Sequence, residues 1–249
     1  MEIALGFLIA LAVGLTGTGA GSITAPALIL FLGVPPAQAV GTALLFGAAI
    51  RLAAVPAYLA RRQVDARVLA WFLAGGLPGA VAGSLVLRAL DAHRVYGALY
   101  ALLGLTIVAA AALNLYRAMR HTAANHARER LRWLPWLALP IGVEVGFSSA
   151  GAGALGSLVL MGFTKLAPAE VVGTDLFFGL ALSLASGGVQ YSAGNYDVRL
   201  LLLLTGGGIA GVLTGSFLSV RLPARALRVA LSVWLVALGL QLCWRSFAG

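Results

Sequence analysis

A single cysteine, Cys243, stands in a chain of 249 residues. It excludes an intramolecular disulfide framework and leaves no cysteine cluster for a metal, so the thiol reads as apolar filler. Charge is scarce as well. Asp, Glu, Lys and Arg make up 10% of the chain, where a soluble domain carries roughly 25%. With 61% hydrophobic residues and a mean hydropathy of +0.97, too few polar groups remain to cover a water-facing surface. A polytopic membrane protein is the class that fits. Acidic residues number 8 against 17 basic ones, a formal charge of +9. Nucleic acid is still not the expected partner, because the basic residues end apolar runs and form no single patch; they report topology. The three histidines, His93, His121 and His126, fall in expected loops, no di-Asp metal motif appears, and Ser148-Ser149 lacks a base. No enzyme, metal or cofactor is therefore expected. The opening MEIALGF has no basic stretch before its apolar run, so it reads as part of the fold and not as a signal peptide.

Glycine, by contrast, is abundant, with 32 residues, as suits membrane helices that approach closely. The stretch Gly14–Leu44, GLTGTGAGSITAPALILFLGVPPAQAVGTAL, returns as Gly146–Leu176, GFSSAGAGALGSLVLMGFTKLAPAEVVGTDL. Gly19 and Gly21 correspond to Gly151 and Gly153, Pro36 to Pro168, and Gly41-Thr42 to Gly173-Thr174. The shift of 132 positions holds without a gap from Gly14 to Leu90, with 26 identities in those 77 pairs, Asp65 with Asp197 and Arg67 with Arg199 among them. A small-residue break inside an apolar segment, repeated in both halves, points to a transporter's binding site.

Residues 3–33 are apolar but interrupted at Gly17–Ser22. Neither arm reaches the ~20 residues a helix needs to cross a bilayer. Non-helical backbone at that depth survives only inside protein or beside water, so a re-entrant hairpin is expected, with two short tilted spans as the alternative. Full spans follow at about 37–60, 68–87 and 95–116. The second half repeats the plan, with a broken segment over 133–164 and spans at about 169–191, 200–220 and 224–245. Gly75, Gly79 and Gly83 form a small-residue packing stripe. The expected fold is an all-α polytopic membrane protein of two inverted repeats, each a broken or re-entrant helical hairpin plus three transmembrane helices. Its parts are a first repeat over 1–116, a basic linker over 117–132 and a second repeat over 133–249.

Three full spans per half, an odd number, turn the second half over. Placing the linker in the cytoplasm puts there Arg61, Arg62, Arg67, the linker's Arg117, Arg120, Arg128, Arg130 and Arg132, then Lys165, Arg221, Arg225 and Arg228. Only Arg88, Arg94, Arg199 and Arg245 fall outside, and Arg51 lies within the membrane. That bias obeys the positive-inside rule. It predicts a multi-pass protein of the bacterial inner membrane with a cytoplasmic linker and both termini periplasmic. Trp133 and Trp136 then read as belt residues at the cytoplasmic face, and Tyr191 as an anchor at the outer one.

The chain resembles the sulfite exporter TauE/SafE family of bacterial membrane transporters. The resemblance rests on Gly14–Thr42 with its broken segment, on PAQAVGT at Pro36–Thr42, on the turn RRQVD at Arg61–Asp65, and on GFSSAGAG, PAEVVGT and GNYD in the second half. It spans nearly the whole chain. It implies export or import of small anions such as sulfite or organosulfonates.

Arg51 is the sharpest single residue. Ten residues before Arg61, it lies ~15 Å from the cytoplasmic interface at 1.5 Å per residue, near the middle of a ~30 Å hydrocarbon core. Arg there costs roughly 2.5–3.5 kcal/mol on insertion scales. Its planar fork of donors suits a sulfonate, sulfite or carboxylate; a structural ion pair with Glu144 or Asp175 is the alternative. The hairpin tips would add backbone N–H groups and hydroxyls from Thr16, Gly17, Gly19, Gly21 and Ser22, and from Ser148, Ser149, Gly151 and Gly153, because helix starts at a break favour anions. Thr42, Thr174 and Ser183, the repeat counterpart of Arg51, complete the candidate substrate site. Asp175 and Glu144 are candidates for coupling to a proton or sodium, with helix-start stabilisation the plainer role for Asp175. The expected function is secondary transport of a small anion by alternating access around a midplane site. An anion channel or a non-transporting membrane scaffold is the alternative. The expected partners are the anion, the lipid bilayer and a coupling ion, with a homodimer as the candidate assembly.

Overall fold

A computed structural model describes residues 2–16, 21–61, 63–92, 96–119, 130–150, 153–218 and 224–248. The described residues are helical, with no strand among them. In chain order the helices are α1 (Glu2–Thr16), α2 (Gly21–Phe31), α3 (Pro36–Ala60), α4 (Ala66–Ala92), α5 (Tyr96–Met119), α6 (Leu134–Ser148), α7 (Ala154–Phe163), α8 (Pro168–Ser192), α9 (Val198–Leu218) and α10 (Ala224–Ala248). A 3-10 turn, Leu131–Trp133, leads into α6. Both breaks fall where the glycines stand, between α1 and α2 and between α6 and α7. The four arms hold 15, 11, 15 and 10 residues, each too short to cross a bilayer as a straight helix. Pro36–Ala60, Ala66–Asp91, Pro168–Ser192 and Val198–Gly215 are long and apolar enough to do so. In α5 and α10 the apolar segments are the shorter Leu99–Ala109 and Ser232–Trp244. Most of the basic linker, including Arg120, His121, His126, Arg128 and Glu129, lies outside the described residues.

Local chemistry sets the helix starts. Pro36 and Pro168 occupy first-turn positions, where a missing N–H costs nothing and φ is preset. Asp65 Oδ1 accepts the Val68 N–H at 2.9 Å ahead of α4, and Asp197 Oδ1 accepts the Leu200 N–H at 2.9 Å ahead of α9. Each is an N-cap that satisfies an otherwise orphaned donor.

The contacts across the molecule repeat when the halves are exchanged. The Asp197 N–H donates to Thr42 Oγ1 at 3.1 Å, and the Asp65 N–H donates to Thr174 Oγ1 at 3.2 Å. Gly76 faces the ring of Phe178, and Gly208 faces that of Phe46. Through such pairs α3 and α8 run antiparallel along each other. The start of α3 lies by the end of α8 at Thr42 and Asp197, and the end of α3 lies by the start of α8 at Asp65 and Thr174. Phe72 of α4 stacks on Phe178 of α8 with centroids 4.0 Å apart.

Each broken segment packs on the other half. A Cβ at Gly75, Gly79 or Gly83 of α4 would sit 1.8, 2.3 or 2.1 Å from the carbonyl oxygens of Pro135, Leu139 and Val143 on α6. At Gly207, Gly211 and Gly215 of α9 the same distances to the carbonyls of Ile3, Phe7 and Leu11 on α1 are 2.0, 2.3 and 2.4 Å. Both pairs advance in register, so α6 runs parallel to α4 and α1 parallel to α9. The remaining pair, α5 with α10, packs together. The two sequence repeats are therefore interlocked, not side by side.

Thr42 and Thr174 are fully buried, and their hydroxyls hold the turns that enter α9 and α4. Thr42→Val and Thr174→Val are each expected to lower stability by about 1 kcal/mol, the usual worth of such a bond. The two sites lie at opposite ends of the α3–α8 pair, so the double variant should lower the thermal midpoint in detergent by the sum. A double variant that melts with the wild-type protein would remove both hydroxyls from the account of the fold.

Candidate functional site

Arg51 lies fifteen residues after Pro36 on α3. It crosses to α8, where its Nη1 donates to Ser183 Oγ at 2.7 Å. These are equivalent positions of the two repeats, brought face to face. Gly179, one helical turn earlier on α8, makes the space: a Cβ there would meet Arg51 Nε at 2.9 Å and Cζ at 3.1 Å. The guanidinium thus packs on α8 at Gly179 and spends one donor on Ser183. No carboxylate lies within ion-pair distance of it among the described residues, so the ion pair with Glu144 or Asp175 that the sequence left open does not form here. A half-buried guanidinium with donors to spare is a receptor for an oxyanion.

Asp175 sits in the second turn of α8, 5% exposed. Its Oδ2 lies 2.7 Å from Ser157 Oγ on α7, and Ser157 Oγ lies 2.6 Å from the Gly153 carbonyl. Its Oδ1 has no hydrogen-bond partner. Gly156 leaves room for that oxygen, since a Cβ there would fall 1.9 Å away.

The two broken segments meet. Gly21, the first residue of α2, is packed so tightly against Ser149 that a Cβ would lie 1.8 Å from the Ser149 carbonyl oxygen. Ser149 is buried and takes φ 62°, a left-handed conformation that ends α6; its repeat counterpart is Gly17. A non-glycine residue there stores strain of order 1–3 kcal/mol, and such strain gathers at functional sites. Ser148 is buried, its hydroxyl donating to the Glu144 carbonyl at 3.0 Å and accepting the Ala150 N–H at 3.2 Å. Glu144 is half-buried on α6, and Ser22 is half-buried on α2. Gly153 closes the second break at φ 104°. Thr16 ends α1. Gly17, Gly19 and Gly151 lie outside the described residues.

The structure therefore gathers Arg51, Ser183 and Asp175 at the α3–α8 crossing and brings Gly21 against Ser149 at the tips. It places Thr42 and Thr174 at the two ends of that crossing. Sequence reading missed Ser157, Gly156 and Gly179. Ser157 replaces Ala25 of the first repeat, so a gain of a hydroxyl opposite the lone Asp175 was the available signal.

Residues 2–242 match the family model described as "Sulfite exporter TauE/SafE". The chain is also similar to "Probable membrane transporter protein YjnA" of Bacillus subtilis (strain 168), 26% identical over 249 residues, which is 96% of this chain and 98% of that protein. No solved structure matches.

Proposed function

This chain belongs to the sulfite exporter TauE/SafE family of membrane transport proteins, and from that premise we propose that it carries a small oxyanion, a sulfite or an organosulfonate, by alternating access. The observation that supports this is Arg51: a half-buried guanidinium in a span-length apolar helix, tied to one serine hydroxyl and, among the described residues, otherwise free to receive oxygens. Ser183 shares the site, and the tips that touch at Gly21 and Ser149 are its candidate second part. Thr16, Ser22, Ser148 and Gly153 stand at the ends of the arms that flank the two breaks; with Gly17, Gly19 and Gly151, which lie outside the described residues, they are the candidates for the rest of the oxyanion shell. Asp175 and Glu144 are the coupling candidates.

The antiparallel run of α3 and α8, which are repeat equivalents, supports an inverted pair in the bilayer. Arg67, Arg130 and Arg132 line one pocket with Trp71 and Trp133, and the Arg130 N–H donates to the Phe163 carbonyl near Lys165 at 3.1 Å. One end of the molecule thus collects basic residues that the charge rule assigns to the cytoplasm. Because α1 rides on α9 and α6 on α4, the bodies that rock are crossed: α1, α2 and α3 with α9 against α6, α7 and α8 with α4. The α3–α8 contact is their hinge surface, and Arg51 lies on it.

Proteoliposomes preloaded with unlabelled sulfonate test this reading. Accumulation of labelled methanesulfonate or sulfite in exchange, saturable and suppressed by the other anion, is the expected result. Flux that never saturates would favour the channel, and no flux of either anion would reject anion transport.

A further inference from the structure

We infer that Asp175 is the proton site of this transporter and that it holds its proton in the conformation seen here. This rests on the anion reading of Arg51 for its consequence but not for its premise. The premise is a count of hydrogens. Ser157 Oγ makes two close oxygen contacts, 2.6 Å to the Gly153 carbonyl and 2.7 Å to Asp175 Oδ2. Oxygens that close each need a hydrogen between them. The serine hydroxyl owns one, and a carbonyl owns none. Ser157 and Gly153 stand four apart, the usual back-bond of a helical serine, which places the hydroxyl hydrogen on the Gly153 carbonyl. The hydrogen on the second contact then comes from Asp175, whose Oδ2–H donates to Ser157 Oγ.

Oδ1 agrees with this count. It is buried and makes no hydrogen bond. A bare carboxylate oxygen in such a place is costly, whereas the carbonyl of a neutral acid costs far less. The cavity also discriminates between the two candidate ions. Sodium is bound by several oxygens, yet Gly156 packs directly against Oδ1, where a cation would sit. Of the charged groups on the helices around α8, Arg51 lies on α3, four and eight residues along α8 from Asp175 in its contacts at Gly179 and Ser183. The α7 helix has no charged residue; Glu144 lies on α6, and Arg67, Arg88 and Asp91 lie on α4.

The consequence is coupling. With Asp175 neutral, the Arg51 charge is uncompensated and attracts an anion. When the carboxyl releases its proton to water, the new carboxylate competes with the anion for that charge. Anion and proton therefore favour each other's binding and travel together, one proton leaving Oδ2 for each anion released.

Infrared difference spectra of the purified full-length protein at neutral pH test the premise without any substrate. The wild-type minus Asp175→Asn spectrum should contain the carbonyl band of a protonated carboxyl, and Ser157→Ala should move that band to higher frequency by removing its acceptor. A difference spectrum with only carboxylate bands would overturn the assignment. So would a band that Ser157→Ala leaves in place, a reading that stands even if Asp175→Asn fails to fold. Methanesulfonate, which does not titrate near neutral pH, tests the coupling. Wild-type affinity should fall up to tenfold per pH unit once the site deprotonates, with proton uptake on binding, and Asp175→Asn should bind equally at every pH with none. Equal pH dependence in both proteins would overturn the coupling. A wild-type protein that keeps the protonated band but binds neither methanesulfonate nor sulfite retains the proton site and rejects the anion reading alone.

Discussion

Arg51→Gln is expected to bring anion exchange in proteoliposomes down to the level of empty vesicles while the protein inserts and purifies as well as the wild type. Glutamine keeps a donor for Ser183 but loses the charge and the fork. Truncating one partner of a buried charged pair costs about 2–5 kcal/mol, or roughly 30-fold to several thousandfold in affinity at 1.4 kcal/mol per decade. Insertion should not suffer, because the change removes a residue that costs roughly 2.5–3.5 kcal/mol at the bilayer centre. That opposite sign separates loss of the site from loss of the fold. Arg51→Lys keeps the charge but concentrates it at one point on a shorter donor set, so it too should fall to background for a trigonal or tetrahedral oxyanion that binds through two oxygens. Wild-type exchange by a well-folded Arg51→Gln protein would remove Arg51 from the binding site.

The second large effect concerns the interlocked packing. Gly207→Val is expected to abolish accumulation of folded protein, and Gly206→Val, one position away, to leave it unchanged. At Gly207 an added Cβ would fall 2.0 Å from the Ile3 carbonyl oxygen, while at Gly206 nothing lies within 4 Å. The obstacle at Gly207 is backbone, which cannot rotate aside as a side chain does. Relief requires α1 to lift from α9, and overpacking of this kind costs typically 1–3 kcal/mol and sometimes more. Gly75→Val should fail in the same way by pushing α6 off α4, since its Cβ would lie 1.8 Å from the Pro135 carbonyl oxygen. Size-exclusion profiles of detergent-solubilised fusions measure both. Equal profiles for Gly206→Val and Gly207→Val would mean that α1 does not lie on α9 as seen here.

The glycine stripe of α4 was legible before any coordinates, because a spacing of four on a helix puts residues on one face. Its partner was not. Nothing in GGLPGAVAG names α6, a helix about sixty residues away, as the surface it receives. The breaks were equally legible, since two runs of small residues interrupt apolar segments that would otherwise span. That Gly21 closes on Ser149 was not. Arg51 could be singled out by its isolation in an apolar run. Its contact with Ser183 followed only from how α3 and α8 cross.

By itself the sequence determined the class, the order and approximate extent of the elements, and the internal duplication. These rest on local properties: the transfer energy of apolar runs into lipid, the φ of proline at a helix start, the reach of an aspartate to its own helix's first turn, and a register of identities that needs no third dimension. The tertiary structure alone decided which helices interlock, that the guanidinium spends a donor on Ser183, and that Ser157, with one hydroxyl hydrogen, stands against two oxygens, those of Gly153 and Asp175. Those depend on distances between residues far apart in the chain, and a linear string holds no such distances.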